Sequence, residues 1–281
     1  MFQILYDWVL VHGIKIICIV FVASLTIKIS KKVIEKTIRK AVKKEKGAKD
    51  GLAEKKREDT LIGILNSVLS IVVWIIALLT ILPEFGINVA PILAGAGLLG
   101  VALGFGAQYV VRDFLAGLFI ILENQYRVGD VVCLDDVCGG VEDITLRKTV
   151  LRDLDGALHY IPNGSFKKAS NLTKGYSRAH MNISVSYKED IDKVISLVNE
   201  VGKNMANDSL WKDDIIEPIQ VLGSGPNDFG INGMEIKVLG ETKPSKQWDI
   251  LREFRKRLKI AFDKKGIEIP FQQISIWTKK K

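Results

Sequence analysis

Between Ile87 and Val111 the chain carries no charged residue for about 25 positions, enough for a helix to cross the hydrocarbon core of a bilayer. The run is crowded with small residues, among them Ala94, Gly95, Ala96, Gly97, Gly100, Ala102, Gly104 and Gly106. A helix that had only to dissolve in lipid has no use for them, since each internal glycine costs about 1 kcal/mol of helix propensity relative to alanine. Lipid tails give no hydrophobic drive for helix association, so close packing through small residues must supply it. Ala96, Gly100 and Gly104 recur every four residues and share a face. Leu98, Val101 and Phe105 lie beside that face at i, i+3 and i+7. One side of such a helix can fit against neighbours while another presents apolar side chains to an enclosed space. The plainer reading is a helix packed inside a small bundle without a pore, and composition alone does not separate the two.

Two further apolar runs precede this one. Val9 to Ile29 has Lys15 and Lys28 near its ends, where the ammonium groups can snorkel to the headgroups, and Tyr6 and Trp8 before it suit the membrane interface. Leu61 to Leu82 is free of charge. From Ile29 to Val42, apolar residues keep helical spacing with Lys and Arg opposite. The first helix is therefore expected to leave the hydrocarbon as a basic amphipathic segment beside anionic lipids. A nucleic-acid-binding arm is the rival reading; adjacency to an apolar span favours the membrane surface, and no nucleic-acid partner is expected. Gly47 and Gly51 mark a turn into the second span. That first connection is strongly basic, whereas the second, Pro83 to Gly86, has no Lys or Arg. The positive-inside rule puts the first connection, and everything after the third run, in the cytoplasm, with the N-terminus outside. The first apolar run is longer than a signal-peptide core and lacks a small-residue cleavage site, so no cleavable leader is expected. The whole of 281 residues, with a net charge of +8, leaves room for a membrane region and one or two soluble domains.

Arg112 and Asp113 end the charge-free run, and FLAGLFIIL resumes after them with Gly117 inside it. This piece is too short to span again, so 113–124 is expected as a separate amphipathic helix at the inner interface, bent away from the span. From Arg127 the texture becomes β-rich, with β-branched runs punctuated by Gly129-Asp130, Gly139-Gly140 and the hairpin signal Asp155-Gly156. After Met181 the order strand, helix, strand, strand, helix predicts a split βαβ layer. The tail IPFQQISIWTKKK alternates as a last strand, which without a partner would be an open edge. The domain reading is 1–126 membrane region, with spans 9–29, 61–82 and 87–111; 127–175 β domain; 176–268 α/β domain; and 269–281 terminal strand.

Catalytic signals are absent. There is no nucleophile elbow, no phosphate loop and no metal-spaced histidine pair; Gly223-Ser224-Gly225-Pro226 lacks the Lys-Ser or Lys-Thr that a Walker loop needs and reads as a turn. Cys133 and Cys138 have the wrong spacing for a zinc knuckle and, with Cys18, are expected as reduced thiols. No enzyme activity, metal or cofactor is expected. The spans hold no ionisable residue at mid-membrane, which argues against ion-coupled transport.

Three features make the chain resemble the small-conductance mechanosensitive channel family (MscS-type). The Gly/Ala-rich third span leads into Gln108 and FLAGLFIIL. Tyr126-Arg127-Val128-Gly129-Asp130 resembles the family's aromatic-Arg-x-Gly-Asp entry to its β domain, and Ile161-Pro162-Asn163-Gly164 its Ile-Pro-Asn turn. The resemblance implies a homoheptamer whose third helices line a pore and bend near Gln108 and again near Gly117. It implies an Sm-like β domain, a ferredoxin-like α/β domain, and an oligomeric β-barrel built from one terminal strand per subunit. The family's two sealing rings fall on Val101 and Phe105, where the family often has leucine. Its usual glycine after the glutamine is Tyr109 here. Packing between neighbouring helices falls to Ala94, Ala96, Gly97, Gly100, Ala102 and Gly104.

The expected fold is thus membrane α-helical, with three spans per subunit, followed by cytoplasmic all-β and α/β domains. The expected function is an inner-membrane channel opened by tension that releases ions and small solutes on hypo-osmotic shock, with lipids and copies of itself as partners. Its rivals are a membrane-anchored binding module and a small-solute transporter.

Overall fold

The computed structural model describes residues 9–41 and 51–271, and the chain divides into two compact units, 1–105 and 106–281. The lead residues Tyr6 and Trp8 and the Gly47 side of the first connection lie outside the described residues.

In the first unit a π-helical turn at Val9–Gly13 leads into helix α1 (Ile14–Ala41), and helix α2 (Gly51–Ile81) follows. The two lie antiparallel. At one end Arg39 reaches Glu58 and Asp59, and at the other Lys15 and His12 meet Glu84. Where they touch, the buried residues are Ala23 and Ala77, small side chains that let the backbones approach. Hydroxyls along α2 turn back on their own helix: Ser67 donates to Gly63 O, Ser70 to Asn66 O and Thr80 to Ile76 O, which spares them an unpaired group in an apolar medium. A 3-10 turn at Leu82–Phe85, with Pro83 in it and Gly86 at φ 75°, ends α2. Asn88 Oδ1 then accepts from Ala90 N at 2.9 Å and starts helix α3 (Ala90–Leu122), with Pro91 in its first turn. Three helical stretches, Leu10–Lys40, Lys55–Phe85 and Ala90–Leu122, are long and apolar enough to cross a membrane.

One helix therefore occupies both the expected third span and the expected interfacial segment. Arg112 and Asp113 do not break it, because Asp113 is buried and its carboxylate has a partner 51 residues away.

The second unit carries two sheets. Strands β1 (Val131–Leu134), β2 (Val137–Ile144), β3 (Lys148–Arg152), β4 (Leu158–Pro162) and β5 (Ala169–Asn171) form an antiparallel sheet in the order β4-β3-β2-β1-β5. The Asp155-Gly156 hairpin lies between β3 and β4, with Gly156 at φ 85°. The first hairpin turns at Asp135-Asp136 instead of at Gly139-Gly140, which run inside β2. Gly139 is small for another reason: a Cβ there would sit 2.5 Å from Arg152 O on the next strand.

Strand β6 (Ser177–Val185), helix α4 (Ile191–Ala206), β7 (Ile215–Val221), β8 (Asp228–Phe229), β9 (Met234–Thr242) and helix α5 (Gln247–Lys265) make the second layer. Its order β6-β9-β7 inserts β9 antiparallel between β6 and β7, the split βαβ arrangement expected from the sequence. Ile250, Phe254 and Phe262 of α5 and Val194 and Val198 of α4 are fully buried against Ile236 and Val238, each large side chain contributing roughly 1.5–3 kcal/mol. Gly202 lets α4 close on β7, since a Cβ would meet Ile219 O at 1.8 Å. Gly266, at φ 69°, caps α5, and Ile267 to Phe271 follow without regular structure. The terminal strand expected over 269–281 lies, from 272 onward, outside the described residues.

Candidate pore helix and its seat on the β domain

The first half of α3 is bare. Val101 is 58 % exposed, Phe105 71 % and Leu98 75 %, although all three are apolar. A Cβ at Gly95, Gly97, Gly100, Gly104 or Gly106 would have nothing within 4 Å. With ~100° between successive residues, Ala94, Leu98, Val101 and Phe105 fall on one stripe. Gly97, Gly100 and Gly104 fall on one flank of it, with Ala96 adjoining them on the back of the helix, and Gly95, Ala102 and Gly106 on the other flank. Small residues on both flanks of an apolar stripe let a helix take a close neighbour on each side. Gln108 is exposed at the end of this stretch, and the Tyr109 ring carries the Arg112 guanidinium at 5.1 Å.

The second half of α3 is seated. Asp113, Gly117 and Ile120, spaced i, i+4 and i+7, are its buried residues and face the β domain. Asp113 Oδ1 accepts from Gly164 N at 3.0 Å. Gly117, expected as a bend, stands where a Cβ would lie 2.0 Å from Leu146 O and 2.4 Å from Asn163 Nδ2, so its small size permits this contact. Ile120 enters the core formed by Tyr126, Val132, Leu134, Val141 and Leu151. Phe114, Leu115, Leu118, Phe119 and Leu122 remain exposed on the other sides of the helix.

Both sequence motifs support this seat. Asn163 donates from Nδ2 to Thr145 O and Leu146 O at 2.8 and 2.9 Å, fixing the loop that receives Gly117. Its Oδ1 accepts from Thr149 Oγ1 at 2.8 Å, and that hydroxyl is 2.9 Å from the Tyr126 hydroxyl. Every member of this chain is buried, so each polar group needs the partner it has. Burial pushes the Tyr126 phenol above its ordinary range, and the bond to Thr149 offsets part of that. In the second motif, Gly129 at φ 97° takes a conformation open to glycine, and its N–H donates to Val141 O. Asp130 accepts from Arg127 N and from Asn171 Nδ2, tying the entry of the β domain to its last strand. Sequence reasoning missed Asp113 and Thr149. A lone carboxylate amid FLAGLFIIL was the available signal for the first; Thr149 offers none.

Cys133 and Cys138 are joined in a disulfide, where reduced thiols were expected. The two-residue turn places them directly opposite each other across β1 and β2. Among the described residues no cluster of His, Cys, Asp and Glu could hold a metal.

Three family profiles match in succession: residues 67–108 the one described as mechanosensitive ion channel, transmembrane helices 2/3; 109–174 mechanosensitive ion channel, beta-domain; and 179–269 mechanosensitive ion channel MscS, C-terminal. The small-conductance mechanosensitive channel of Caldanaerobacter subterraneus subsp. tengcongensis is 36 % identical over 79 % of this chain and 77 % of its own length. The moderate conductance mechanosensitive channel YbiO of Escherichia coli is 32 % identical over 78 % of this chain, which spans 29 % of that longer protein. The closed-state crystal structure of Helicobacter pylori MscS shares the fold with a TM-score of 0.71 at 21 % identity, covering 96 % of this chain and 99 % of that one.

Proposed function

The chain belongs to the mechanosensitive ion channel family and is a mechanosensitive ion channel of the inner membrane, and from that premise we propose that a ring of seven copies builds its pore from α3. The observation that carries the reading is the bare first half of α3, an apolar stripe with small residues on both flanks and no partner among the described residues. Neighbouring subunits fill the flanks through Ala96, Gly97, Gly100, Ala102 and Gly104, with Ala94 continuing the stripe toward the outer end. Val101 and Phe105 face the axis and close it as a dry constriction, because apolar walls offer water no hydrogen bonds. Tension favours whichever state occupies more membrane area, and α1 and α2 face the lipid that transmits it.

The bend in this reading lies at Gln108 and Tyr109, between the bare half of α3 and the half held by Asp113 and Gly117. Gly117 serves as a second bend only where that seat opens. The N-terminus is outside, and the β and α/β domains are in the cytoplasm, as the basic first connection and the uncharged second favour. An Sm-like β domain is supported by the strand order β4-β3-β2-β1-β5 behind a helix. The terminal strands of the seven copies pair in a barrel, which gives each lone edge a partner. Ions and small solutes leave through the pore on hypo-osmotic shock.

The test is patch recording from liposomes holding the purified chain. Suction is expected to open discrete conductances that close on release. Saturable flux without tension, or no current at any tension, refutes the pore.

A further inference from the structure

The two-residue turn at Asp135-Asp136 pairs Leu134 with Val137, and Cys133 with Cys138 as the next rung. In such a hairpin that rung is a non-hydrogen-bonded pair, the kind whose side chains come closest, and the Cα atoms are 4.0 Å apart. Val132 and Leu134 point into the core, so the two sulfurs lie on the opposite face of the sheet. Cys138 is exposed and Cys133 half-buried. The bond is therefore open to solvent thiols.

The tip of this hairpin is tied to the segment that receives α3. The Asp135 carboxylate accepts from the backbone N–H groups of Lys167 and Lys168 at 3.1 and 3.0 Å, and Asp135 N donates to Lys168 O at 2.9 Å. Three residues before Lys167, Gly164 N donates to Asp113 of α3. Behind the tip, Cys133 pairs with Ser170 of β5. A continuous set of short contacts thus runs from the cysteine rung to the seat of the pore helix.

We propose that Cys133 and Cys138 are a reversible thiol–disulfide site for low-molecular-weight thiols and disulfides of the glutathione type, and that its state adjusts the tension at which the channel opens. The inference rests on the cytoplasmic placement of the β domain, a compartment where a disulfide persists as a redox-responsive bond and not as a permanent staple. Oxidation begins at the exposed Cys138. Its thiol loses a proton to solvent, and the thiolate attacks one sulfur of the small disulfide, forming a mixed disulfide and expelling one small thiolate, which takes up a proton. The Cys133 thiolate, formed in the same way, attacks the Cys138 sulfur, closes the rung and expels the second small thiol. The protein dithiol is oxidised, the small disulfide is reduced to two thiols, and the sum balances without another reactant. The closed rung clamps the tip and holds the Lys167–Lys168 contacts and, through Gly164, Asp113. Reduction releases the tip, loosens the seat and lowers the opening tension.

The experiment uses the full-length chain carrying Cys18→Ser, so that Cys133 and Cys138 are its only thiols. Reconstituted channels are equilibrated across glutathione to glutathione-disulfide ratios, quenched in acid and alkylated with a polymer-linked maleimide. The expected result is two alkylations or none, exchanging together as the ratio changes. Patches from the same liposomes open at lower tension with reductant on the cytoplasmic face than with oxidant, reversibly. Channels that also carry Cys133→Ser and Cys138→Ser open at one threshold in both buffers. Double alkylation at every ratio overturns the proposal. So does a threshold indifferent to oxidation, or one that moves equally in the cysteine-free channel. In those three cases a channel that still answers to suction leaves the pore reading standing, whereas silence under tension in every buffer overturns both.

Discussion

Gly117→Ala adds one methyl group where α3 touches the β domain. The new carbon would stand 2.0 Å from Leu146 O, 2.4 Å from Asn163 Nδ2 and 2.6 Å from Leu146 C. Comfortable contact between heavy atoms is about 3.5 Å, so the helix must withdraw by roughly 1.5 Å. Leu146 O cannot step aside, because it is backbone and already accepts from Asn163, which Thr149 holds in turn. Withdrawal opens the bond from Gly164 N to Asp113 and begins to expose Ile120, which is only 3 % exposed. A hydrogen bond to a charged group contributes about 1.5–3 kcal/mol, and full burial of an isoleucine side chain roughly the same. Losing the first and part of the second costs the seat about 2–5 kcal/mol. Hydrogen exchange at the Gly164 amide reads the bond directly and should accelerate at least about tenfold, the equivalent of 1.4 kcal/mol. Gly100→Ala is the control, since a Cβ there meets nothing among the described residues. Unchanged Gly164 exchange in a folded Gly117→Ala channel would refute the close approach of α3 to Leu146.

Phe105→Ser replaces an apolar ring in the proposed seal with hydroxyls that hold water, so it should open at lower tension and leak solutes from cells that express it. Val101→Ser should do the same more weakly, and the exposed Ile75→Ser on α2 should not. A cysteine in place of Ile87, in the turn before α3, should react with an impermeant maleimide from outside in a Cys18→Ser background; reaction from the cytoplasmic side only would reverse the topology. Asp190 caps α4 by accepting from the N–H groups of Asp192 and Lys193, and the bond to Lys193 above all holds its carboxyl below the usual range. A depressed folded-state value means its contribution is present above the unfolded value and lost as pH falls through the folded one. Asp190→Ala should therefore lower the melting temperature at neutral pH and converge with the parent in acid. A difference that persists unchanged in acid would assign the effect to something other than the carboxylate.

The parts of this fold that the sequence foretells are those settled by neighbours along the chain. Long apolar runs mark the spans, and the alternation of strand and helix after Met181 marks the split βαβ layer, because hydrophobic periodicity is a local signal. The expectations that failed turn on partners far away in sequence. Arg112-Asp113 reads as an interruption until Gly164 supplies a donor to Asp113, and the helix then continues to Leu122. The glycines at 139 and 140 look in the sequence like the better turn. Asp135 instead takes φ 48° at the hairpin tip, where its carboxylate meets the amides of Lys167 and Lys168. Once the turn moves there, Cys133 and Cys138 fall opposite each other, so the disulfide was hidden by the register and not by the cysteines themselves.

The bare half of α3 extends the same logic beyond one chain. Where a small residue has a partner in the chain, as at Gly117, Gly139 and Gly202, the structure shows the atom that a larger side chain would strike. At Gly95, Gly97, Gly100, Gly104 and Gly106 the space is open among the described residues, and glycine there costs helix stability without a packing return from any of them. Five such positions in one apolar helix make sense if the surface they would crowd belongs to another copy. The proposed ring supplies that surface on both flanks and leaves Val101 and Phe105 to face the space between the copies.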